Sequence, residues 1–253
     1  MTVALVLAGG LKSELGQKQH FTGEEALIPI ADRYMVEYVV DALKGSSYID
    51  EIIIAGPKPQ LTKVFGGSSA VKIASKGDTT VQSFRQAFQL VPPEKEEILV
   101  VTSDLPLLTT EAVNHFLGTC QDLEGDFFYP IVSREANEGK YPGVERTYVH
   151  LKEGLFTGGN LLLLKAQIVD RCLEEAEKLV SLRKKPLSLA AHLGWKLLLF
   201  YVLRQLTIAD AEKEVSRLLG GVKGVGVVSP YPEIGIDVDK PSDLALVEKV
   251  LCS

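Results

Sequence analysis

The first half of this sequence alternates between short apolar runs rich in valine and isoleucine and longer segments with helical periodicity. Strands buried on both faces have this composition, and they occur in parallel sheets that are covered by helices on either side. The strand-like runs lie at residues 3–8, 52–55, 71–75 and 98–102. We therefore predict an α/β fold built on a mostly parallel sheet.

Helix signals separate these runs. The segment Met35 to Lys44 places its apolar residues on one helical face, and Gly45 is a natural stop. A second apolar stripe, from Val81 to Val91, ends before Pro92-Pro93. A third helix is predicted to begin near Thr109, after the 98–102 strand.

The second half has a mixed pattern. Strand-like runs at 127–132 and 148–151 flank a polar loop that extends to Arg146, and the turn 156–160 precedes another apolar run at 161–164. Residues 166–220 are predominantly helical and interrupt the α/β pattern. The chain then returns to a strand at 225–228 and to a final helix whose predicted cap is Ser242. We predict a single domain, 1–253, with a helical insertion at about 166–220.

Composition restricts the partners and the compartment. A formal net charge of −6 gives no overall attraction for nucleic acid or for an anionic membrane, so a bound nucleotide is expected to be a small molecule. Cys120, Cys172 and Cys252 lie far apart without metal-ligand spacing and are interpreted as buried thiols. The apolar N-terminus lacks signal-peptide features, and residues 187–206 are too polar to favour spanning a bilayer. We predict a cytoplasmic protein.

The first candidate site is the segment Leu7-Ala8-Gly9-Gly10 at the end of the first strand. Because glycine has no side chain, the backbone N–H groups of this segment are able to approach a phosphate closely. The alternative interpretation is a simple tight turn at the end of the strand. About two dozen residues separate Gly10 from the helix at Met35, against roughly 2–6 in a typical connection, and long loops at a binding edge are often functional. This loop contains three residues that are able to contact phosphate: Lys12, Lys18 and His20.

The second candidate pairs Asp104, directly after the 98–102 strand, with Asp237 or Asp239 more than a hundred residues later. Carboxylates that converge at strand ends are suitable ligands for Mg²⁺. Such an ion offsets phosphate charge while a nucleophile displaces pyrophosphate. The alternative is that each aspartate caps the helix that follows it.

A third group of residues suits a phosphorylated or hydroxylated second substrate. Arg146, Asn160 and the basic run at 183–185 are candidates for binding its phosphate or a sugar hydroxyl, and a solvated surface is the alternative for the basic run. Ser83 is able to reach a base or ribose, or it is an ordinary helix serine.

Taken together, four segments resemble the MobA-like NTP transferase family, which includes relatives of molybdenum-cofactor guanylyltransferase and of sugar-phosphate nucleotidyltransferases. The matching segments are Leu7-Ala8-Gly9-Gly10, residues 26–29 with 35–37, residues 102–109 and residues 237–244. The resemblance covers roughly residues 1–165 and 222–253. It implies a three-layer, Rossmann-like α/β fold of the nucleotide-diphospho-sugar transferase type, and Mg²⁺-dependent transfer of a nucleotidyl group from an NTP to an acceptor. The resemblance also implies that Gly9 and Gly10 belong to the phosphate loop and that Asp104 is one metal ligand. Asp239 is the expected second metal ligand, and Asp237 is the alternative to it.

Two positions depart from the family pattern. Glu14 stands where family members usually have an arginine, and Glu25 stands where they usually have a lysine. A carboxylate beside a triphosphate repels it, so Lys12 and Lys18 become the candidates for the missing catalytic cations. The alternatives are a catalytically degenerate protein that binds a nucleotide or sugar nucleotide, and a glycosyltransferase that uses a sugar nucleotide.

The apolar helix predicted around Trp195 to Leu203 is expected to be buried, either within the chain or against a second copy of it. A homodimer is therefore one possible assembly.

Overall fold

A central mixed sheet organises the chain. In a computed structural model, the described residues are 1–9, 24–182, 185, 188, 191–192 and 194–252, without the side chains of Trp195, Lys196 and Leu198. The strands are β1 (Thr2–Leu7), β2 (Pro29–Ile30), β3 (Arg33–Tyr34), β4 (Ile49–Gly56), β5 (Val71–Ser75), β6 (Glu97–Thr102), β7 (Phe127–Ser133), β8 (Val149–Leu151), β9 (Gly154–Gly158), β10 (Leu161–Lys165) and β11 (Gly224–Ser229).

The main sheet has the order β5-β4-β1-β6-β10-β7-β9-β8, and β11 pairs with β7. The pairs β1–β4, β1–β6, β4–β5 and β7–β11 are parallel. Strand β10 is antiparallel to both β6 and β7, and β8–β9 is a hairpin. Strands β2 and β3 form a small separate ribbon.

Helices cover both faces of this sheet. Their bounds are α1 (Met35–Lys44), α2 (Lys58–Phe65), α3 (Thr80–Phe88), α4 (Thr110–Gln121), α5 (Arg134–Lys140), α6 (Val169–Leu182), α7 (Trp195–Val202), α8 (Ile208–Leu218) and α9 (Pro241–Leu251). Short 3₁₀ helices lie at Glu25–Leu27, Ala166–Ile168 and Pro232–Gly235.

The side-chain alternation of β1 explains the three layers. Ala4 and Val6 point into one core, which they share with α1, α2 and α4. Val3 and Leu5 point to the opposite face, where they pack with α3 and α6. Successive strand residues face opposite sides of a sheet, so a continuously apolar strand requires cover on both. The predicted three-layer α/β fold is confirmed.

The sequence pattern missed two helices. Helix α2 follows β4 directly, and α5 lies within the segment predicted to be a polar loop up to Arg146. The final helix begins at Pro241 with Lys240 as its cap, so the predicted cap at Ser242 is wrong. Here the Asp243 carboxylate accepts hydrogen bonds from the backbone N–H groups of Asp239 and Lys240, at 3.2 and 3.1 Å.

The stretch 166–220 contains α6, α7 and α8 and is predominantly helical, as predicted. Helix α7 is not buried within the chain, however, since Val202 is 74% exposed and Leu199 is 55% exposed. Its inward side packs against Leu151 and Phe156 of the β8–β9 hairpin. Of the three cysteines, Cys120 is buried, Cys172 is half-buried and Cys252 is exposed, so the expectation of buried thiols fails for Cys252.

None of the helices in the described part of the chain is both long enough and apolar enough to cross a membrane.

Candidate functional site

The carboxyl ends of the parallel strands meet at one edge of the sheet. The N–H of Ala8 donates to the carbonyl of Ala55 at 2.8 Å, and the N–H of Ser103 donates to the carbonyl of Leu7 at 3.2 Å. These hydrogen bonds hold the segments that follow β1, β4 and β6 side by side. The segments that carry Gly9 and Asp104 therefore leave the sheet at the same edge, where α/β proteins bind ligands.

The structure brings together three carboxyl groups that are distant in sequence. One carboxylate oxygen from each of Asp104, Asp237 and Asp239 lies within 4.8 Å of the others. A backbone hydrogen bond from the N–H of Val238 to the carbonyl of Asp104, at 3.0 Å, joins the two segments. We call these three aspartates the acidic cluster.

Burial and the neighbouring charges act on Asp104 and Asp239 of the acidic cluster. Burial raises the pKa of Asp104 to about 6, and the charges of Asp237 and Asp239 add to this rise. The pKa of Asp239 is also raised, first because of burial and then because of the charge of Asp237. The Oδ1 atom of Asp104 is shielded from solvent and has no hydrogen-bond partner among the described residues. A buried acceptor in this position is costly unless a cation or a donor binds to it.

The donors of the acidic cluster match a hard divalent cation. Mg²⁺ prefers carboxylate oxygens and is usually bound by one or two carboxylates together with substrate phosphates and water. A cation between these side chains would relieve the repulsion and satisfy Asp104 Oδ1. Asp104 and Asp239, with Asp237 as the third oxygen donor, therefore fit Mg²⁺.

Arg146 lies beside the acidic cluster. Its guanidinium forms an ion pair with Asp237, and the two side chains are 15% and 18% exposed. Asn160 is close as well, because its carbonyl accepts from Thr102 N–H at 3.3 Å and its N–H donates to Ile234 at 2.7 Å. Both candidate acceptor-binding residues thus belong to this edge of the sheet. Gly159-Asn160 separates β9 from β10, so the predicted turn is a two-residue break between strands.

Gly9 is tightly enclosed on one side. A Cβ atom added there would lie 3.0 Å from the Cβ of Lys76 and 3.1 Å from the Oγ of Ser83. Ser83 is buried, and its hydroxyl accepts a hydrogen bond from Gly77 N–H at 3.0 Å. In this structure the hydroxyl of Ser83 therefore connects the loop after β5 to α3 by a hydrogen bond next to Gly9. Leu7 ends β1, and Ala8 is buried between β1 and Gly9.

Several predicted residues lie outside the described part of the chain. They are Gly10, Lys12, Glu14, Lys18, His20, Arg183 and Lys184. Lys185 is exposed. Glu25 is described, and it begins the 3₁₀ helix Glu25–Leu27.

One cation at this edge was missed by the sequence interpretation. Lys76 is the first residue after β5, and its ammonium forms an ion pair with Glu24. The signal was available, because the residue that follows a parallel strand lies at the ligand-binding edge.

Solved structures with the same fold include proteins of closely similar length. A hypothetical transferase from Thermus thermophilus is 38% identical, with a TM-score of 0.82 over 96% of this chain and 99% of that one. A 4-diphosphocytidyl-2C-methyl-D-erythritol synthase from Anaerococcus prevotii is only 11% identical, with a TM-score of 0.63 over 100% of this chain and 98% of that one. This second likeness shows the fold alone.

Curated relatives match over part of the chain. The bifunctional protein GlmU of Bacillus subtilis is 31% identical over 115 residues, which are 45% of this chain and 24% of that protein. The same protein from Exiguobacterium sibiricum is 30% identical over 115 residues, 45% of this chain and 25% of that protein. The match thus spans about a quarter of the length of these relatives.

A family match covers residues 4–217, which include Gly9, Asp104, Arg146 and most of the helical stretch 166–220. It therefore runs beyond residue 165, where the first part of the motif-based resemblance ends, and it stops before Asp237 and Asp239. The length of this match shows that the chain belongs to the family of the MobA-like NTP transferase domain.

Proposed function

We propose that this protein catalyses Mg²⁺-dependent transfer of a nucleotidyl group from an NTP to a phosphorylated or hydroxylated acceptor. The observation that supports this proposal most directly is the acidic cluster, which lies at the same carboxyl edge of the sheet as Gly9. Helix capping alone does not explain the cluster, because the side chain that caps α9 is Asp243 and not one of the three aspartates.

In the proposed reaction an acceptor oxygen attacks the α-phosphorus of the NTP, and the bond from that phosphorus to the bridging oxygen breaks. Pyrophosphate leaves with the electron pair of this bond. A bound Mg²⁺ ion supplies charge neutralisation for the phosphate oxygens, and the Asp104 and Asp239 carboxylates would hold it. Gly9 leaves space for the phosphate chain at the end of β1. Lys12 and Lys18 remain the proposed catalytic cations.

The first test is isothermal titration of each common NTP with and without Mg²⁺, followed by pyrophosphate release across a panel of phosphorylated and hydroxylated acceptors. We expect one NTP to bind only with Mg²⁺ and one acceptor class to stimulate pyrophosphate release. Metal-dependent binding without turnover would instead identify the degenerate binding protein. No metal-dependent binding of any NTP would end the proposal.

Arg146 is proposed to bind the phosphate of the acceptor. Its guanidinium already lies beside the acidic cluster in an ion pair with Asp237, and guanidinium groups bind phosphate through two parallel hydrogen bonds. We expect Arg146→Met to raise the KM for a phosphorylated acceptor by roughly 10- to 100-fold, the range for a lost charge-assisted hydrogen bond. Arg146→Lys keeps the positive charge but cannot form the two parallel hydrogen bonds. Its KM for the phosphorylated acceptor should therefore lie between that of wild type and that of Arg146→Met. If the KM were unchanged in Arg146→Met, the role of Arg146 would be limited to its ion pair with Asp237.

We keep the cytoplasm as the proposed compartment and a homodimer as a proposed assembly. The exposed apolar side chains of α7, Leu199 and Val202 among them, make this helix the surface to test for self-association.

A further inference from the structure

The position of Lys76 points to a role in nucleotide binding. Its backbone N–H donates to the carbonyl of Gly56 at 3.0 Å, which fixes the residue at the carboxyl edge of β4 and β5. From there its side chain extends along Gly9. A Cβ atom added to Gly9 would lie 3.0 Å from the Cβ of Lys76 and 3.9 Å from its Cδ. The aliphatic stem of Lys76 thus packs directly against Gly9.

The ammonium of Lys76 is held by a partner that is able to release it. It pairs with the carboxylate of Glu24, and the two side chains are 43% and 27% exposed. Exposed ion pairs of this kind contribute little to stability. Glu24 itself is fixed by the backbone, because its carbonyl accepts from the N–H of Leu27 at 2.9 Å. A more highly charged anion beside Gly9 would therefore compete with Glu24 for the ammonium of Lys76.

Charge balance at this edge favours a further cation for the phosphate chain. The acidic cluster is anionic, and the guanidinium of Arg146 is already paired with Asp237. A triphosphate adds further negative charge beside Gly9. Among the described residues, Lys76 is a cation whose stem contacts Gly9 and whose side chain is 43% exposed.

We propose that Lys76 binds the phosphate chain of the NTP, and that Glu24 holds its ammonium when no nucleotide is bound. This inference rests on the proposed nucleotidyl transfer and adds a phosphate-binding residue to that site. Nucleotide binding exchanges one anionic partner of Lys76 for another. Glu24 is thus a competitor of the substrate, although it is itself no ligand of the nucleotide.

The two partners of this ion pair should have opposite effects on nucleotide affinity. Lys76→Met removes a charge-assisted hydrogen bond and should weaken Mg²⁺–NTP binding by roughly 10- to 100-fold. Glu24→Gln frees the ammonium and should strengthen binding by roughly threefold, the range for an exposed ion pair. A merely structural ion pair predicts that both changes weaken binding or that neither has an effect.

The experiment is isothermal titration of wild type, Lys76→Met, Lys76→Arg, Glu24→Gln and the double variant with the preferred NTP and Mg²⁺, and with the corresponding nucleoside. We expect Lys76→Arg to stay near wild type and the double variant to match Lys76→Met. Nucleoside affinity should be unchanged throughout, because a nucleoside carries no phosphate. Thermal unfolding of each variant checks that it is folded, and Glu24→Gln decides the question if Lys76→Met does not fold.

Three results with the variants, and one with the wild type, overturn the proposal. Equal losses of NTP and nucleoside affinity in Lys76→Met would place the contact at the base or ribose. Weaker NTP binding by Glu24→Gln would show that the ion pair acts structurally. Wild-type NTP binding that persists unchanged in folded Lys76→Met would remove Lys76 from the site and leave the proposed transfer intact, whereas absence of Mg²⁺-dependent binding in wild type would end both.

Discussion

Replacing Asp104 with asparagine is expected to reduce pyrophosphate release by about 10³-fold, since loss of metal-assisted charge stabilisation costs several kcal/mol in the transition state. The same change should make the metal-free protein more stable. Asparagine keeps the shape of the side chain and removes the charge that is buried beside Asp237 and Asp239. Loss of activity together with a gain in stability separates a functional carboxylate from a structural one.

The gain in stability follows from the pKa of Asp104. Its value of about 6 in the folded protein exceeds the ordinary aspartate pKa of 3.8, so the folded state binds the proton more tightly than the unfolded chain does. The stabilisation is complete below about pH 3.8 and is lost as the pH rises towards and through 6. At pH 7 the ionised carboxylate thus costs up to about 3 kcal/mol, which Asp104→Asn removes.

The measurement is thermal or urea unfolding at pH 7 in the presence of a chelator, beside a pyrophosphate-release assay with Mg²⁺. Asp126→Asn is a matched control outside the acidic cluster. The pKa of Asp126 is lowered, first by its hydrogen bond to Lys165, so its ionised form stabilises the fold above the ordinary pKa of aspartate. We expect Asp126→Asn to lose stability at pH 7 and to retain activity. A destabilised or fully active Asp104→Asn would contradict our assignment.

Asp239→Asn is expected to weaken Mg²⁺ binding by at least about 100-fold, whereas Asp237→Asn should weaken it by less than about tenfold. The two residues differ in their partners. Asp237 is already compensated by the guanidinium of Arg146, which reduces its attraction for a second cation. The raised pKa of Asp239 shows that burial and the charge of Asp237 disfavour its ionised form, which a bound cation would stabilise.

Titration of Mg²⁺ into each variant, with the nucleotide at saturating concentration, distinguishes these roles. Asp237→Asn should also change the KM of the acceptor, because it releases Arg146 from its ion pair. If Asp237→Asn lost the metal and Asp239→Asn kept it, the order of the two ligands that we propose would be reversed.

The first half of the fold was predictable because local and global signals agree there. The buried runs at β1, β4 and β6 are continuous and apolar, which a sheet covered on both faces explains, whereas β5 buries only Val71 and Ala74. Helices α2 and α5 were missed because they carry little apolar periodicity. Helix α2 buries only Leu61 and Phe65, and α5 buries only Asn137. What begins α5 is a capping hydrogen bond from Ala136 N–H to the side chain of Ser133, at 3.1 Å.

The candidate site was predictable to the extent that it depends on strand ends. Asp104 follows β6 directly, and the rule that ligands bind at the carboxyl edge selects it from the other aspartates. The pairing of Lys76 with Glu24 joins residues 52 positions apart and depends on tertiary contacts between the residue after β5 and the residue before the 3₁₀ helix Glu25–Leu27. No local pattern encodes these contacts. The same holds for the contact between Arg146 and Asp237.

The hydrogen bond from Val238 N–H to the carbonyl of Asp104 uses only main-chain atoms. This connection between the segment after β6 and the segment before α9 therefore does not itself depend on the side chains that they carry. Exchange of one carboxylate for an amide or a longer acid leaves this connection in place, so the choice of ion is open to change by single substitutions. The site is accordingly a suitable starting point for engineering metal preference without redesign of the backbone.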